Sequence, residues 1–233
     1  MRVLGIDTSN LVMSIAVVEN NRLLGEYTTN LKKNHSIRLM PAISLLLEEL
    51  GMGPEELQGV AVAGGPGSYT GIRIGLTTAK TMAWSLGIPL AGVSSLEAIA
   101  ANASFAKAYI CPLMDARRGQ VYTALFNEEN RLQPDRIRLL DEWLGELHPK
   151  GERVLFLGDD VRLHQEKIGQ VLGDLALFGP AEWNLPRASF IARKGEKLIE
   201  EGQDAEIHSF APQYLQLAEA EAKWLAEQKV LPK

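Results

Sequence analysis

Short apolar runs and alternating positions fill the first thirty residues. "VLGI" (Val3–Ile6), "MSIAVVE" (Met13–Glu19) and "RLLGEYTT" (Arg22–Thr29) read as three strands, with Asn20-Asn21 as the clearest turn between them. "SIRLMPAISLLLEELG" has helical length, starts beside Ser36 as a candidate N-cap and ends at Gly51. "GVAVAG" reads as a buried strand, "TGIRIGLTTAKTMAWSLG" as a helix, "PLAGV" as a strand, and a further helix starts at Ser94. After about Ser104 the order begins again. "YICPLMDARRGQVYTALFNEENR" gives strand, turn and strand; a helix, the strand "VLFLG", a helix, "LALF" and the helix "ASFIARKGEKLIEEG" follow. In both halves an Asp (Asp7, Asp115) closes the first strand before a turn of small or polar residues.

Two successive β-β-β-α-β-α units imply a duplicated α/β fold, two lobes facing a cleft; a single irregular domain with a chance echo is the alternative. The sheets are expected to be mixed, because hairpins pair antiparallel and helical crossovers return parallel. The expected division is 1–103 for the first lobe, 104–211 for the second, and 212–233 for a loop and final amphipathic helix of unassigned lobe.

Composition removes several classes of function. The 233 residues carry 24 Lys and Arg against 29 Asp and Glu, a net charge of −5. No basic stripe marks a stand-alone nucleic-acid binder. No apolar stretch approaches the roughly 18 residues of a membrane span. The N-terminus runs straight into "RVLGIDTS" without a signal peptide, so a cytoplasmic location is expected. The lone cysteine, Cys111, precludes an internal disulfide and reads as a buried thiol within "YICPLM". The four histidines, His35, His148, His164 and His208, are scattered and form no i, i+4 metal pair; His35 reads as a surface or capping residue.

The chemistry of this chain turns on "AGGPGSYTGIRIG", Ala63–Gly75. A glycine turn that opens a helix can cradle phosphate on free N–H groups. However, no Gly-Lys-Ser/Thr ending follows, the dinucleotide spacing is absent, and Lys80 lies more than two turns into the helix. Asp7, Thr8 and Gly67 are the weak candidates for a metal and phosphate site of the phosphotransferase type. Arg117 and Arg118 at the matching turn of the second half suit an anion or a pairing with Asp115. Gly71, Gly75, Thr78, Ala79 and Met82 share one helix face, and the helix before it carries Leu39, Met40, Ile43, Leu46 and Leu47. These small and apolar positions favour a helix-bundle interface with another chain; complete burial in one core is the alternative.

Together, "GIDTS", "HSIRLMP", "AGGPGSYTGIRIGLTTAKTMAWSLGIPLAGVSSLEA", "DARRGQVY" and "APQYL" resemble the bacterial TsaB (YeaZ) family of tRNA threonylcarbamoyladenosine biosynthesis proteins, from one end of the chain to the other. The resemblance implies the ribonuclease-H-like lobes of the actin, sugar kinase and Hsp70 (ASKHA) superfamily, with mixed sheets flanked by helices. It implies a scaffold without cofactor for the paralogous transferase TsaD, which attaches threonylcarbamoyl to the adenosine 3′ of the anticodon in tRNAs reading codons that begin with A. TsaD's two metal-binding histidines lie in a run resembling "GIPLxGVxHxEGH", where this chain has "GIPLAGVSSLEAI", placing Ser95 and Ile99 at those positions. A hydroxyl and a hydrocarbon do not replace two imidazoles. TsaD's "SGGHT" phosphate turn is matched here by "DARRGQ". The implied partners are TsaD, the ATPase TsaE and a second copy of the chain, with tRNA met only through the complex and no membrane. The family places self- and TsaD-pairing on the two helices of the first lobe singled out above. The competing class is a small-molecule kinase or ATPase of the same fold using Asp7 and the glycine loop.

Overall fold

The structure, a computed structural model, describes residues 1–128 and 130–216. The final amphipathic helix expected near the C-terminus therefore lies mostly outside the described residues. Two five-stranded mixed sheets form the frame. The first contains β1 (Arg2–Asp7), β2 (Val12–Glu19), β3 (Arg22–Asn30), β4 (Gly59–Gly65) and β5 (Leu90–Ser94), in the order β3-β2-β1-β4-β5. The second contains β6 (Tyr109–Asp115), β7 (Gln120–Phe126), β8 (Arg131–Leu139), β9 (Val154–Leu157) and β10 (Ala176–Phe178), in the order β8-β7-β6-β9-β10. The orders superpose strand for strand. In each half the hairpins pair antiparallel (Ile6 with Ile15, Leu113 with Thr123) and the crossovers return parallel (Leu4 with Val60, Ile110 with Leu155). The duplication expected from the sequence is thus a property of the fold.

β1, β2 and β4 are buried along almost their whole length, which explains their continuous rather than alternating apolar runs. Helices α1 (Leu39–Glu49) and α2 (Tyr69–Leu86) cover one face of the first sheet, where Leu39, Ile43, Leu47, Leu76 and Ala79 join Leu4, Ile6 and Val62 in one cluster. α1 starts later than Ser36 suggested: Asn34 caps a 3-10 turn at His35–Ile37, and the α-helix begins at Leu39. Pro41 then falls in the first turn, where its missing N–H has no intrahelical acceptor to lose.

The other face of each sheet is closed by a helix that chain order does not assign to it. α3 (Ser95–Ala100) follows β5 but packs Leu96 and Ile99 against Ile110, Ala124 and Leu155 of the second sheet. α6 (Ala188–Glu200), last of the described helices, returns to the first sheet, with Ile191 and Ala192 on Val3, Ala61 and Ala91. α4 (Leu140–Leu147) and α5 (Val161–Leu172) cover the remaining face of the second sheet, around the buried Trp143 and Phe156. α6 and the segment after it, grouped with 104–211 in the expected division, thus pack on the first sheet. Glu196 fixes this return, accepting from the backbone N–H groups of Asn20 (2.9 Å) and Asn21 (2.7 Å) and from the N-terminal ammonium (3.2 Å). Ser14 Oγ accepts from Ala188 N at 2.9 Å at the start of α6.

Beyond α6 the chain crosses the first lobe as a strap. Ala205 N donates to Leu90 O (2.7 Å), Lys80 Nζ donates to His208 O (3.0 Å) and Phe210 O (2.9 Å), and Gln213 N donates to Gly64 O (2.8 Å). The Phe210 ring lies so close to Gly92 that a Cβ there would overlap it. Lys80 is therefore one of several anchors of this strap.

Candidate functional site

A cleft of 1280 Å³ lies between the lobes. Ser9, Asn10 and Leu11 from the β1–β2 turn, Lys32, His35 and the first residues of α2 line one side. Met114 to Arg118, Gln120, Tyr122 and Asp160 line the other, and Gln213 to Gln216 of the strap reach in from above. Gln216 Oε1 accepts from Tyr122 Oη at 3.2 Å, so the strap bridges to the second lobe. Tyr214 stacks on Tyr69 with ring centroids 5.1 Å apart, and its hydroxyl accepts from Arg73 Nε at 2.8 Å.

The carboxylate nominated from the sequence is shut away. Asp7 has no exposed surface, and burial pushes its carboxyl up to about 6, against hydrogen bonding from Ser9 and the charge of His35. Its Oδ1 accepts from Ser9 N at 2.8 Å, while Oδ2 has no partner among the described residues. Thr8 is equally buried, and its hydroxyl donates to Gly71 O at 2.7 Å. Gly67 adopts φ +152°, with its α-carbon so near Ser9 O that a Cβ would overlap it. Thr8 and Gly67 thus weld the loop before α2 onto the β1–β2 turn.

That weld corrects the reading of the glycine-rich loop. A Cβ on Gly71 would overlap Thr8 O, and one on Gly75 would overlap Thr8 Oγ1 and come within 3.6 Å of Ile6 and Val62. The glycines thin the inner face of α2, letting it settle on its own sheet. Of the ten residues nominated for a partner interface, Leu39, Ile43, Leu46, Leu47, Gly71, Gly75 and Ala79 are buried inside the lobe, Thr78 and Met82 are half-buried, and Met40 is exposed. The outward apolar side chains of this region are Ile37 (72% exposed), Trp84 (66%), Leu45 (57%) and Met40 (47%). Periodicity located the faces correctly but not which of them looks outward.

His35 is also corrected, from a surface residue to a buried one at the floor of the cleft. Its Nε2 lies 2.8 Å from Asn10 O; a carbonyl only accepts, so Nε2 carries the proton. No local pattern in the sequence marks His35 as buried, because the β1–β2 turn that covers it is distant in the chain.

Across the cleft, Arg117 and Arg118 occupy left-handed backbone positions (φ +65° and +54°), followed by Gly119 at +72°. Asp115 serves this turn, accepting from Arg117 N (3.2 Å) and pairing with His164 Nε2 (3.0 Å). Asp160 Oδ2 accepts from Asp115 N at 2.9 Å, and its carboxyl is pushed upward by burial and then by the Asp115 charge. Of the two positions that the family resemblance sets against metal-binding imidazoles, Ile99 packs in the core and Ser95 is fully buried. Among the described residues, no three His, Cys, Asp or Glu side chains gather into a metal-holding group. Cys111 is buried and receives the Trp143 indole N–H at 3.3 Å; burial pushes its thiol up to about 11. None of the helices described is long and apolar enough to cross a membrane.

Comparison with known proteins gives this geometry relatives. Residues 22–224 match the family model described as "TsaD: tRNA N6-adenosine threonylcarbamoyltransferase". The chain is 48% identical over 233 residues to the tRNA threonylcarbamoyladenosine biosynthesis protein TsaB of Bacillus subtilis, covering 98% of this chain and 100% of that one. A crystal structure from Pseudomonas aeruginosa, described as an uncharacterized protein with similarity to peptidase YEAZ, superposes with a TM-score of 0.78 at 23% identity, over 92% of this chain and 99% of that one. The ROK hexokinase of Thermus thermophilus superposes with a TM-score of 0.52 at 12% identity, over 87% of this chain and 100% of that one. At such identities the structural likenesses speak for the fold alone, and that fold is the two-lobed ASKHA-type α/β architecture.

Proposed function

Because the chain belongs to the TsaB family of tRNA threonylcarbamoyladenosine biosynthesis proteins, we propose that it is the non-catalytic subunit that holds a TsaD-type paralogue in its active geometry. In this reading TsaD transfers threonylcarbamoyl from threonylcarbamoyl-AMP to the adenosine 3′ of the anticodon, in the cytoplasm, and this chain meets tRNA only within the complex. The observation that carries the reading is the fate of the chemistry-bearing positions. One of the two matched to metal-binding histidines is a core isoleucine, and the strand-end Asp7 has no surface from which to reach a metal or a phosphate. A chain that keeps the kinase body but buries its carboxylate is suited to supporting a partner rather than to phosphoryl transfer.

The partner surface is assigned to the 3-10 turn before α1 and the outer faces of α1 and α2, where Ile37, Met40, Leu45 and Trp84 stand exposed. The same surface serves a second copy of the chain when TsaD is absent, and a TsaE-type ATPase joins the pair elsewhere. Reconstitution with and without the TsaD-type partner tests the assignment. Threonylcarbamoylation of tRNA is expected to require the partner even with this chain in excess; modification by this chain alone would overturn it. The kinase alternative requires Asp7 at the cleft surface, and magnesium-dependent ATP turnover by the isolated chain would restore it.

A further inference from the structure

The chain crosses between the lobes at α3 and again just before α6, and the two crossings are stitched to each other. The 3-10 turn Ala101–Ala103 follows α3, and the 3-10 turn Ala181–Asn184 carries the chain back toward α6. Asn102 spans the two. Both hydrogens of its amide are committed, one to Trp183 O (2.9 Å) and one to Leu185 O (2.8 Å). Asn184 Oδ1, in the returning crossing, accepts from Gly158 N just past β9 at 3.0 Å. On α3 itself, Glu97 accepts from Lys194 Nζ of α6 on one oxygen and from Arg131 Nη2 of β8 on the other, each at 2.9 Å.

Linking segments of this kind are where a rotation of one lobe against the other has its axis. Such a hinge by itself leaves the mouth of the cleft free to open. Here the strap closes that mouth. It is held on the first lobe by Lys80, by Gln213 N on Gly64 O and by Arg73 Nε on the Tyr214 hydroxyl. From there it carries Gln216 across to Tyr122 of β7, whose hydroxyl donates to Gln216 Oε1. Tyr122 and Gln216 line the inter-lobe cleft, whereas Glu97 and Lys194 line a separate cavity of 460 Å³ between α3 and α6. The lobes are thus tied at two separated places, and a rotation about the crossings stretches the Tyr122 tie.

We propose that strap residues 213–216 are a clasp, which together with the Asn102 stitch holds the two lobes at one angle, so that the body is a rigid block rather than a cleft that opens and shuts. Tyr214 seats the clasp. Its ring stacks on Tyr69, and the Arg73 guanidinium lies over the Tyr69 ring at 4.3 Å from the centroid. Gln216 and Tyr122 then set the spacing between the lobes, and Asn102 fixes the direction in which the crossings run. A body already held at one angle meets a partner without the cost of ordering itself. The clasp goes beyond the scaffold reading and does not depend on it.

Single-molecule energy transfer on the full chain tests the clasp, with dyes on Glu48→Cys of α1 and Glu142→Cys of α4, exposed positions on helices of different lobes. Cys111 is fully buried and stays unlabelled. The wild type is expected to give one narrow transfer peak. Loss of one hydrogen bond shifts a two-state balance about three- to tenfold. Tyr122→Phe and Gln216→Ala should therefore each raise the altered-spacing population by that factor. Combined, they should raise it no further, because both remove the same bond. Asn102→Ala should produce an increase of its own. If Asn102→Ala does not fold, Tyr122→Phe, which keeps the ring and removes only the hydroxyl, decides alone. A broad or double peak in the wild type, or an unchanged peak in Tyr122→Phe, would overturn the proposal.

Discussion

Replacing Gly75 by alanine separates the two roles open to the glycine face of α2. A Cβ there lands closer than 3.0 Å to Thr8 Oγ1, and Ile6 and Val62 stand 3.6 Å away on the sheet beneath. Thr8 is fully enclosed and its hydroxyl is committed to Gly71 O, so it has no free rotamer into which to retreat. Overpacking of this kind costs about 1–3 kcal/mol. Displacing the Thr8 hydrogen bond costs about 1 kcal/mol more. The better helix propensity of alanine returns about 1 kcal/mol. The expected net loss is thus about 1–3 kcal/mol, read as a lower urea midpoint at unchanged slope. Gly169, inside α5 with open space around it, supplies the control. There Gly169→Ala gains the propensity without the clash and should raise stability by about 0.5–1 kcal/mol. Light scattering on both variants completes the assay. If Gly75→Ala kept its urea midpoint while a dimer dissociated, the inward-facing reading of α2 would be refuted.

Three further outcomes follow from particular contacts. Asp7 has a folded-state pKa of about 6 against an ordinary 3.8, so the folded state holds the extra proton between those values; stability falls as pH rises through that window and levels off above it. Asp7→Asn should therefore gain on the wild type from pH 4 to pH 7, by of order a few kcal/mol, and a pH-independent difference in denaturation midpoints would contradict the assignment. Gly92→Leu drives a side chain into the Phe210 ring and should lift the strap; limited proteolysis within residues 203–216 is expected to accelerate, while unchanged cleavage would show the strap held elsewhere. Trp84→Glu and Leu45→Glu alter exposed positions, so stability should stay within about 0.5 kcal/mol. Co-purification with a TsaD-type partner should nonetheless drop at least about tenfold, and undiminished capture would move the interface off these helices.

The sequence alone determined the duplication, the Asp that ends the first strand of each half, and the order of most elements. Those follow from hydrophobic period and turn chemistry, which are local and survive in one dimension. β8 (Arg131–Leu139), whose Pro134 and charged positions break any apolar run, was read from no segment. The family resemblance implies that Ser95 and Ile99 stand where the related transferase carries imidazoles. What the sequence left open was decided by packing. A helical period shows that Gly71, Gly75 and Ala79 share a face, but only the seat of α2 on Thr8, Ile6 and Val62 shows that this face is the inner one. The same limit applies to α3 and α6, whose apolar stripes fit either sheet and are assigned to the opposite lobes by long-range contacts. His35, polar and next to a turn, reads as a surface residue until the β1–β2 turn folds over it and its Nε2 meets Asn10 O. Burial belongs to the assembled lobes, because a residue is covered by neighbours distant in the chain, and no local pattern records which neighbours arrive.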